Sequence, residues 1–268
     1  MDFFIPYGNF PRPLVALAGN PNTGKSTIFN ALTGLKQHTG NWTGKTVTLA
    51  QGSFFYNNIK FCIVDLPGTY SLLANSPEEE VARNFILLQK PDVIVVITDA
   101  TCLERNLNLV LQVMEITDRI IVCVNLIDEA KKKGIFVDES ILSKELGVPV
   151  ILTAARTGLG LQELKEMIFK VYSGKIKPSP QRINYGKEVE KAIAELIPFI
   201  ENKFSGTINP RWAALSIISG DYSIKDLEEL VKKSENNREE STHGLFKRYN
   251  CGENIRKSPV HSTKGSKI

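Results

Sequence analysis

The stretch that decides the fold is LVALAGNPNTGKSTIFNALTG, Leu14 to Gly34. The run LVALA reads as a strand, Leu14–Ala18, and the segment after the loop reads as a helix, Lys25–Thr33. Between them GNPNTGKS, Gly19–Ser26, fits G-x-x-x-x-G-K-[ST], and a strand before it with a helix after it is the context that motif requires. Its glycines let the backbone curl so that successive amide hydrogens point at phosphate oxygens. Lys25 supplies a positive charge for the β- and γ-phosphates, the Ser26 hydroxyl is a magnesium ligand, and the helix adds its positive end. Nucleotide contacts are therefore expected from Gly19, Asn20, Pro21, Asn22, Thr23, Gly24, Lys25, Ser26 and Thr27. Lys25→Ala is expected to abolish binding yet stay folded, as a lysine at the lip of a loop supports little core.

Outward from this stretch, apolar runs alternate with amphipathic segments as far as about Tyr172. That pattern implies an α/β fold, a phosphate-loop domain around a mainly parallel six-stranded sheet. The remaining strands are Val47–Phe55, Lys60–Val64, Val93–Thr98, Ile120–Val124 and Val150–Leu152. Asn57-Asn58 joins the first two of these as a hairpin. Helices are expected at Pro77–Gln89, Leu103–Thr117, Glu139–Leu146 and Leu161–Val171.

After a Lys/Pro/Ser hinge from Gly174 to Pro180 the pattern becomes purely helical. Val189, Ile193, Leu196, Ile197, Ile200 and Phe204 share one face, with Pro198 predicting a kink. Asn209-Pro210 starts a second helix that stops at Gly220, and a third begins at Ser223. Three parts follow: a nucleotide-binding domain over 1–174, a small all-α domain over 181–233, and a polar tail over 234–268 expected to be disordered.

The chain has 268 residues, 42% apolar and 23% charged, the balance of a soluble globular protein. No run approaches the length of a membrane span and no secretory signal is evident, so a cytosolic location is expected. Of the net charge of +4, residues 232–268 carry nine Lys/Arg against four Glu, leaving the body near neutral. That body lacks the basic face of a nucleic-acid binder. Cys62, Cys102, Cys123 and Cys251 show no metal-ligand spacing and read as reduced thiols.

Downstream residues select the nucleotide. FCIVDLPG ends a strand at Asp65, which can hold magnesium through water, while Gly68 can offer its amide to the γ-phosphate. Leu66 and Pro67 complete that turn. IIVCVNLID places Asn125, Leu126, Ile127 and Asp128 beyond another strand. Guanine presents a ring N–H and an exocyclic amine on one edge, and a carboxylate such as Asp128 accepts both, whereas adenine has no such donor pair. Thr153, Ala154 and Ala155 follow the last strand and are placed to bring a backbone amide to guanine O6. In QHTGNWTGKTV, Thr46 is positioned to complete the magnesium shell, flanked by Gly44, Lys45, Val47 and Thr48. The position just after D-x-x-G, where many GTPases carry a catalytic glutamine, is Thr69. The groups expected to act in GTP hydrolysis are Lys25, Thr46 and Gly68, to which the family that these motifs resemble adds Asn22.

GNPNTGKSTIFNALTG, GNWTGKTV, DLPGTYSL and NLID together resemble the cytosolic G domain of ferrous-iron transport protein B (FeoB), and PRWAALSIISGD resembles the helical insert that follows it. The similarity runs over roughly Val15–Val231. It implies a domain that binds GTP and GDP on the cytosolic side of the membrane and gates ferrous-iron passage through the permease region of the same transporter. By matching positions it implies magnesium at Ser26, Thr46 and, through water, Asp65. It also implies a potassium ion held by Asn22 and the carbonyls of Gly40 and Trp42. Homo-oligomerisation is compatible with the sequence. The polar tail does not resemble the family's run into the membrane. A soluble ribosome-assembly or tRNA-modifying GTPase, a nucleotide-binding module with negligible turnover, and an ATPase remain as alternatives.

Overall fold

A computed structural model describes residues 4–5, 12–34, 37–42, 47–73 and 76–232. All six expected strands form: β2 (Leu14–Gly19), β4 (Thr48–Tyr56), β5 (Ile59–Asp65), β6 (Val93–Asp99), β7 (Ile120–Asn125) and β8 (Val150–Leu152). Two short strands, β1 (Phe4–Ile5) and β3 (Gln37–Trp42), extend the sheet beyond β4, giving the order β1-β3-β4-β5-β2-β6-β7-β8. Only β3–β4 and β4–β5 are antiparallel. Central strands are near-continuous apolar runs because helices cover both faces. Every residue of β2 and β7 is buried. The hairpin turns through Asn57 (φ 48°) and Asn58 (φ 61°), the pair of left-handed residues that a two-residue turn of matching twist needs.

Alternate residues of β2 serve opposite cores. Val15 and Leu17 pack with Ile28, Phe29 and Leu32 of α1 (Lys25–Thr33) and with Leu164 and Ile168 of α6 (Leu161–Tyr172). Leu14, Ala16 and Ala18 face the layer of α2 (Pro77–Asn84) and α3 (Leu103–Ile116). Ser76 caps α2 by accepting from the Glu79 amide at 3.2 Å, with Pro77 in the first turn. The expected helix over Pro77–Gln89 continues past Asn84 as a π-turn at Phe85–Gln89, whose five residues are all buried. α4 (Ile127–Lys132) and α5 (Glu139–Leu146) complete the domain.

The helical part comprises α7 (Lys187–Phe204), α8 (Pro210–Ile218) and a helix over 224–232, here α9. Pro198 lies inside α7 without ending it. Asn209 caps α8, accepting from the Trp212 amide at 3.1 Å. Ile193, Ile200, Phe204, Trp212 and Leu227 join the same core as Leu109 and Val113 of α3, so the appendage extends the core of the α/β domain. Polar contacts reinforce this joint. Asn209 Nδ2 donates to the Ile116 carbonyl at 3.0 Å, and Arg211 Nε donates to Glu115 Oε2 at 2.8 Å. The tail beyond residue 232, with Cys251, lies outside the described residues.

Candidate nucleotide site

β2, β5, β7 and β8 all end on one edge of the sheet, the carboxyl edge where α/β folds place their ligands. Each delivers one motif there. The phosphate loop curls between β2 and α1 with Asn22 at φ 66° and Gly24 at φ 81°. A side chain on Gly24 would run into the Asn125 amide, so the close approach as well as the dihedral requires glycine. Thr23 Oγ1 braces the loop by donating to the Asn20 carbonyl at 2.9 Å. Asn20 is buried, and both polar atoms of its side chain lack partners.

Lys25 is buried rather than set at a lip, and its ammonium pairs with Asp65 Oδ1. Ser26 Oγ donates to the other carboxylate oxygen, Oδ2, at 3.0 Å. The cation, hydroxyl and carboxylate expected around a magnesium-bound phosphate are thus within reach of one another across 40 residues of sequence. Behind them the loop after Asp65 docks onto the phosphate loop. Thr69 N–H donates to the Gly19 carbonyl at 3.2 Å, and a Cβ on Gly68 would lie 3.2 Å from Pro21 Cα. The Thr69 hydroxyl is turned into its own loop, donating to the Ser71 carbonyl at 2.5 Å. Gln112 of α3 holds the next turn, its Oε1 accepting from the Leu72 amide at 2.7 Å.

The base-reading side is organised by Asn125, buried at the end of β7. Its Nδ2 donates to the Thr23 carbonyl at 2.9 Å. Its Oδ1 accepts from Thr153 Oγ1 and from the Ala155 amide, both at 3.1 Å. One side chain therefore joins the phosphate loop, β7 and the loop after β8. Cys123 backs this cluster at 3.3 Å from Thr153 Oγ1, and burial pushes its thiol up to about 12. Leu126 adopts φ 63° and turns the chain into α4, where Asp128 stands half-buried. The backbone amides of Thr153, Ala154 and Ala155, the candidates for guanine O6, each make a bond within the protein. Thr153 N–H bonds to Val124 O, Ala154 N–H to Leu159 O and Ala155 N–H to Asn125 Oδ1, so all three are already engaged.

Oxygen donors at Ser26 and Asp65 suit magnesium, a hard cation. The donors implied for potassium come from two elements of the fold. Gly40 and Trp42 lie on β3, with Gly40 opposite Leu49, and β3 is three strand spacings from β2, roughly 14 Å from the phosphate-loop strand. Of that set only Asn22 is at the phosphate loop. Gly44, Lys45 and Thr46 lie outside the described residues. Val47 is buried in the core and Thr48 opens β4. Among the described residues no group of three or more His, Cys, Asp or Glu side chains is placed to hold a metal.

Residues 14–168 match the family model for ferrous iron transport protein B, and residues 185–257 match that for the FeoB cytosolic helical domain. The chain belongs to the FeoB family. It carries that family's GTPase domain followed by its helical domain, and the second match runs past residue 233 into the segment expected to be a tail. Fe(2+) transporter FeoB of Methanocaldococcus jannaschii is 43% identical over 220 residues, covering 82% of this chain and 32% of that protein. The Fe(2+) transport protein A/FeoB fusion protein of Porphyromonas gingivalis is 41% identical over 214 residues, covering 78% of this chain and 25% of its own length. The chain thus spans a quarter to a third of the length of these curated relatives. The cytosolic domain of the T. maritima FeoB iron transporter in a GDP form superposes with a TM-score of 0.72 at 36% identity, covering 85% of this chain and 98% of that one. Among the described residues no helix is long and apolar enough to cross a membrane. Family membership favours the iron-transporter reading over a ribosome-assembly or tRNA-modifying GTPase.

Proposed function

We propose that this chain binds GTP and GDP with magnesium, hydrolyses GTP, and acts as the nucleotide-controlled cytosolic element of a ferrous-iron transporter. Its partner in that role is the permease region of the longer protein. The observation that carries the reading is the Asn125 clamp, which joins the phosphate loop to the loop after β8 three residues before Asp128 in sequence. Asp128 then accepts the N1 and N2 hydrogens of guanine. Lys25 would leave Asp65 for the β- and γ-phosphates, and Ser26 and, through water, Asp65 are the residues that would hold the metal. Magnesium, when bound, would neutralise charge on the phosphates. Thr46 and the Gly68 amide are assigned to the γ-phosphate side, and residues 1–174 and 181–233 to the nucleotide and helical units.

Potassium enters the proposal through Asn22 with the carbonyls of Gly40 and Trp42, and exchanging sodium for potassium in a turnover assay tests it separately. The main reading is tested by base exchange. Asp128→Asn is expected to shift preference from guanine to xanthine nucleotides, since an amide matches the carbonyl that replaces guanine's amine. An unchanged preference would show that Asp128 does not read the base.

A further inference from the structure

Arg156 sits at the tip of the loop after β8, with its side chain 73% exposed and Nη2 3.7 Å from Asp128 Oδ2. Asp128 itself is 27% exposed, so the carboxylate meets the guanidinium at the protein surface. The backbone beneath is fixed, because Ala155 N–H and Thr153 Oγ1 are both bound to Asn125 Oδ1. The guanidinium is thereby presented to Asp128 from a braced loop rather than from a free arm.

The chemistry of that group gives the contact its meaning. The edge of guanine that a carboxylate recognises, N1–H with the C2 amine, is an N–C–N fork of donors. An arginine guanidinium offers the same fork and adds a full positive charge. We infer that Arg156 is a built-in stand-in for guanine, holding Asp128 when the nucleotide is absent and competing with the base for it. The inference rests on Asp128 being the base reader. Incoming guanine must displace the guanidinium, and departing guanine leaves a carboxylate that Arg156 recaptures. Leu126 bears on the same balance, since no lysine at that position covers the base. The effect is bounded, because an exposed ion pair changes an equilibrium by at most about five-fold.

The test is GDP dissociation followed with a fluorescent GDP on the full chain, comparing wild type with Arg156→Met, which keeps the aliphatic stem. The expected result is release slowed about two- to five-fold in the variant, with affinity tightened to match. In an Asp128→Asn background loaded with the xanthine nucleotide, Arg156→Met should change nothing, because the amide has no charge to hold a guanidinium. Release that is unchanged or faster in Arg156→Met with GDP would overturn the inference, faster release meaning that the arginine covers the base instead. A failure of the guanine reading looks different. Asp128→Asn would then leave the guanine-to-xanthine preference unaltered, and this inference would fall with it.

Discussion

Arg83 of α2 lies with its guanidinium carbon 4.9 Å from the ring centroid of Tyr222, in the turn between α8 and α9. The arginine is buried, and its Nε and Nη2 both donate to Asn84 Oδ1, at 3.3 and 3.2 Å. Tyr222 in turn packs against Trp212, with ring centroids 5.7 Å apart. A helix that begins twelve residues after Asp65 in sequence is thus seated on the helical domain through one cation and two aromatic rings. Burial lowers the arginine pKa, so the charge is held against a desolvation penalty that the ring face partly offsets.

That balance makes the substitutions unequal. Arg83→Ala removes both the buried stem and the cation, and should destabilise the fold by about 2 kcal/mol. Arg83→Met keeps most of the stem and removes the buried charge, so its cost should stay below about 1 kcal/mol. Denaturant midpoints of the two variants decide this. Equal losses would show that the charge, not the packing, carries the contact.

Within the helical part, an ionic contact between α7 and α8 gives a pH dependence. Arg211 grips both oxygens of Glu190, at 2.9 and 3.0 Å, and the Tyr185 amide donates to the same carboxylate at 3.1 Å. These bonds, the arginine first, lower the Glu190 pKa from 4.5 to about 2. A folded-state pKa below the unfolded one contributes stability that is fully present above about 4.5. It is lost as pH falls through that value toward 2. The pair is partly exposed, so the amount should be under about 1 kcal/mol. Glu190→Gln should flatten the stability curve of the protein between pH 5 and 3, measured by denaturation relative to pH 7. A curve parallel to that of the wild type would refute the assignment.

Much of this architecture is legible in the residues themselves. The phosphate loop declares itself because a glycine-rich turn, a lysine and a hydroxyl must follow a buried strand, and Asn57-Asn58 and Asn209-Pro210 mark a turn and a cap by backbone preference alone. Other features leave no such trace. β3, QHTGNW, has neither an apolar run nor alternation, and β4 alone supplies its register. α4, IDEAKK, is too short to show helical periodicity. The π-turn at Phe85–Gln89 is apolar throughout, so nothing distinguishes it from one more helical turn. Within the site, Asn125, Asp128, Lys25 and Asp65 stand out by motif. The pairing of Lys25 with Asp65, the engagement of the Ala155 amide and the reach of Arg156 to Asp128 depend on separations that only the folded chain sets.

Asn125 should behave differently from its neighbour in the motif. It is buried and makes three hydrogen bonds, so Asn125→Ala strands the Thr23 carbonyl and the Ala155 amide. Unpartnered buried groups cost about 1–3 kcal/mol each, and a total loss of about 2–4 kcal/mol is expected. Nucleotide affinity should fall with it, whatever the base. Asp128→Asn, by contrast, should change base preference with stability nearly unaltered. Thermal unfolding and binding calorimetry on both variants separate a clamp from a reader, and an Asn125→Ala protein as stable as wild type would remove the clamp from the account.

The Lys25–Asp65 pair changes what the simplest test of the phosphate loop should show. Read as a lip residue, Lys25 could be truncated without harm to the fold. In the structure both side chains are only 10% exposed and each neutralises the other. Lys25→Ala therefore leaves the Asp65 carboxylate buried with one hydrogen bond, from Ser26, and no cation. Breaking a buried pair from one side costs more than the pair contributes, and a loss of about 1–3 kcal/mol in the nucleotide-free protein is expected. Asp65→Asn in the Lys25→Ala background removes the stranded charge and should recover most of that loss, although nucleotide binding stays abolished in both. The double-mutant cycle distinguishes the two roles of the lysine. If Lys25→Ala alone is as stable as wild type, the carboxylate is solvated without its partner, and the exchange of Lys25 from Asp65 to phosphate cannot be a significant step in nucleotide loading. If the second substitution fails to restore stability, the loss arises from the packing of the lysine stem rather than from charge.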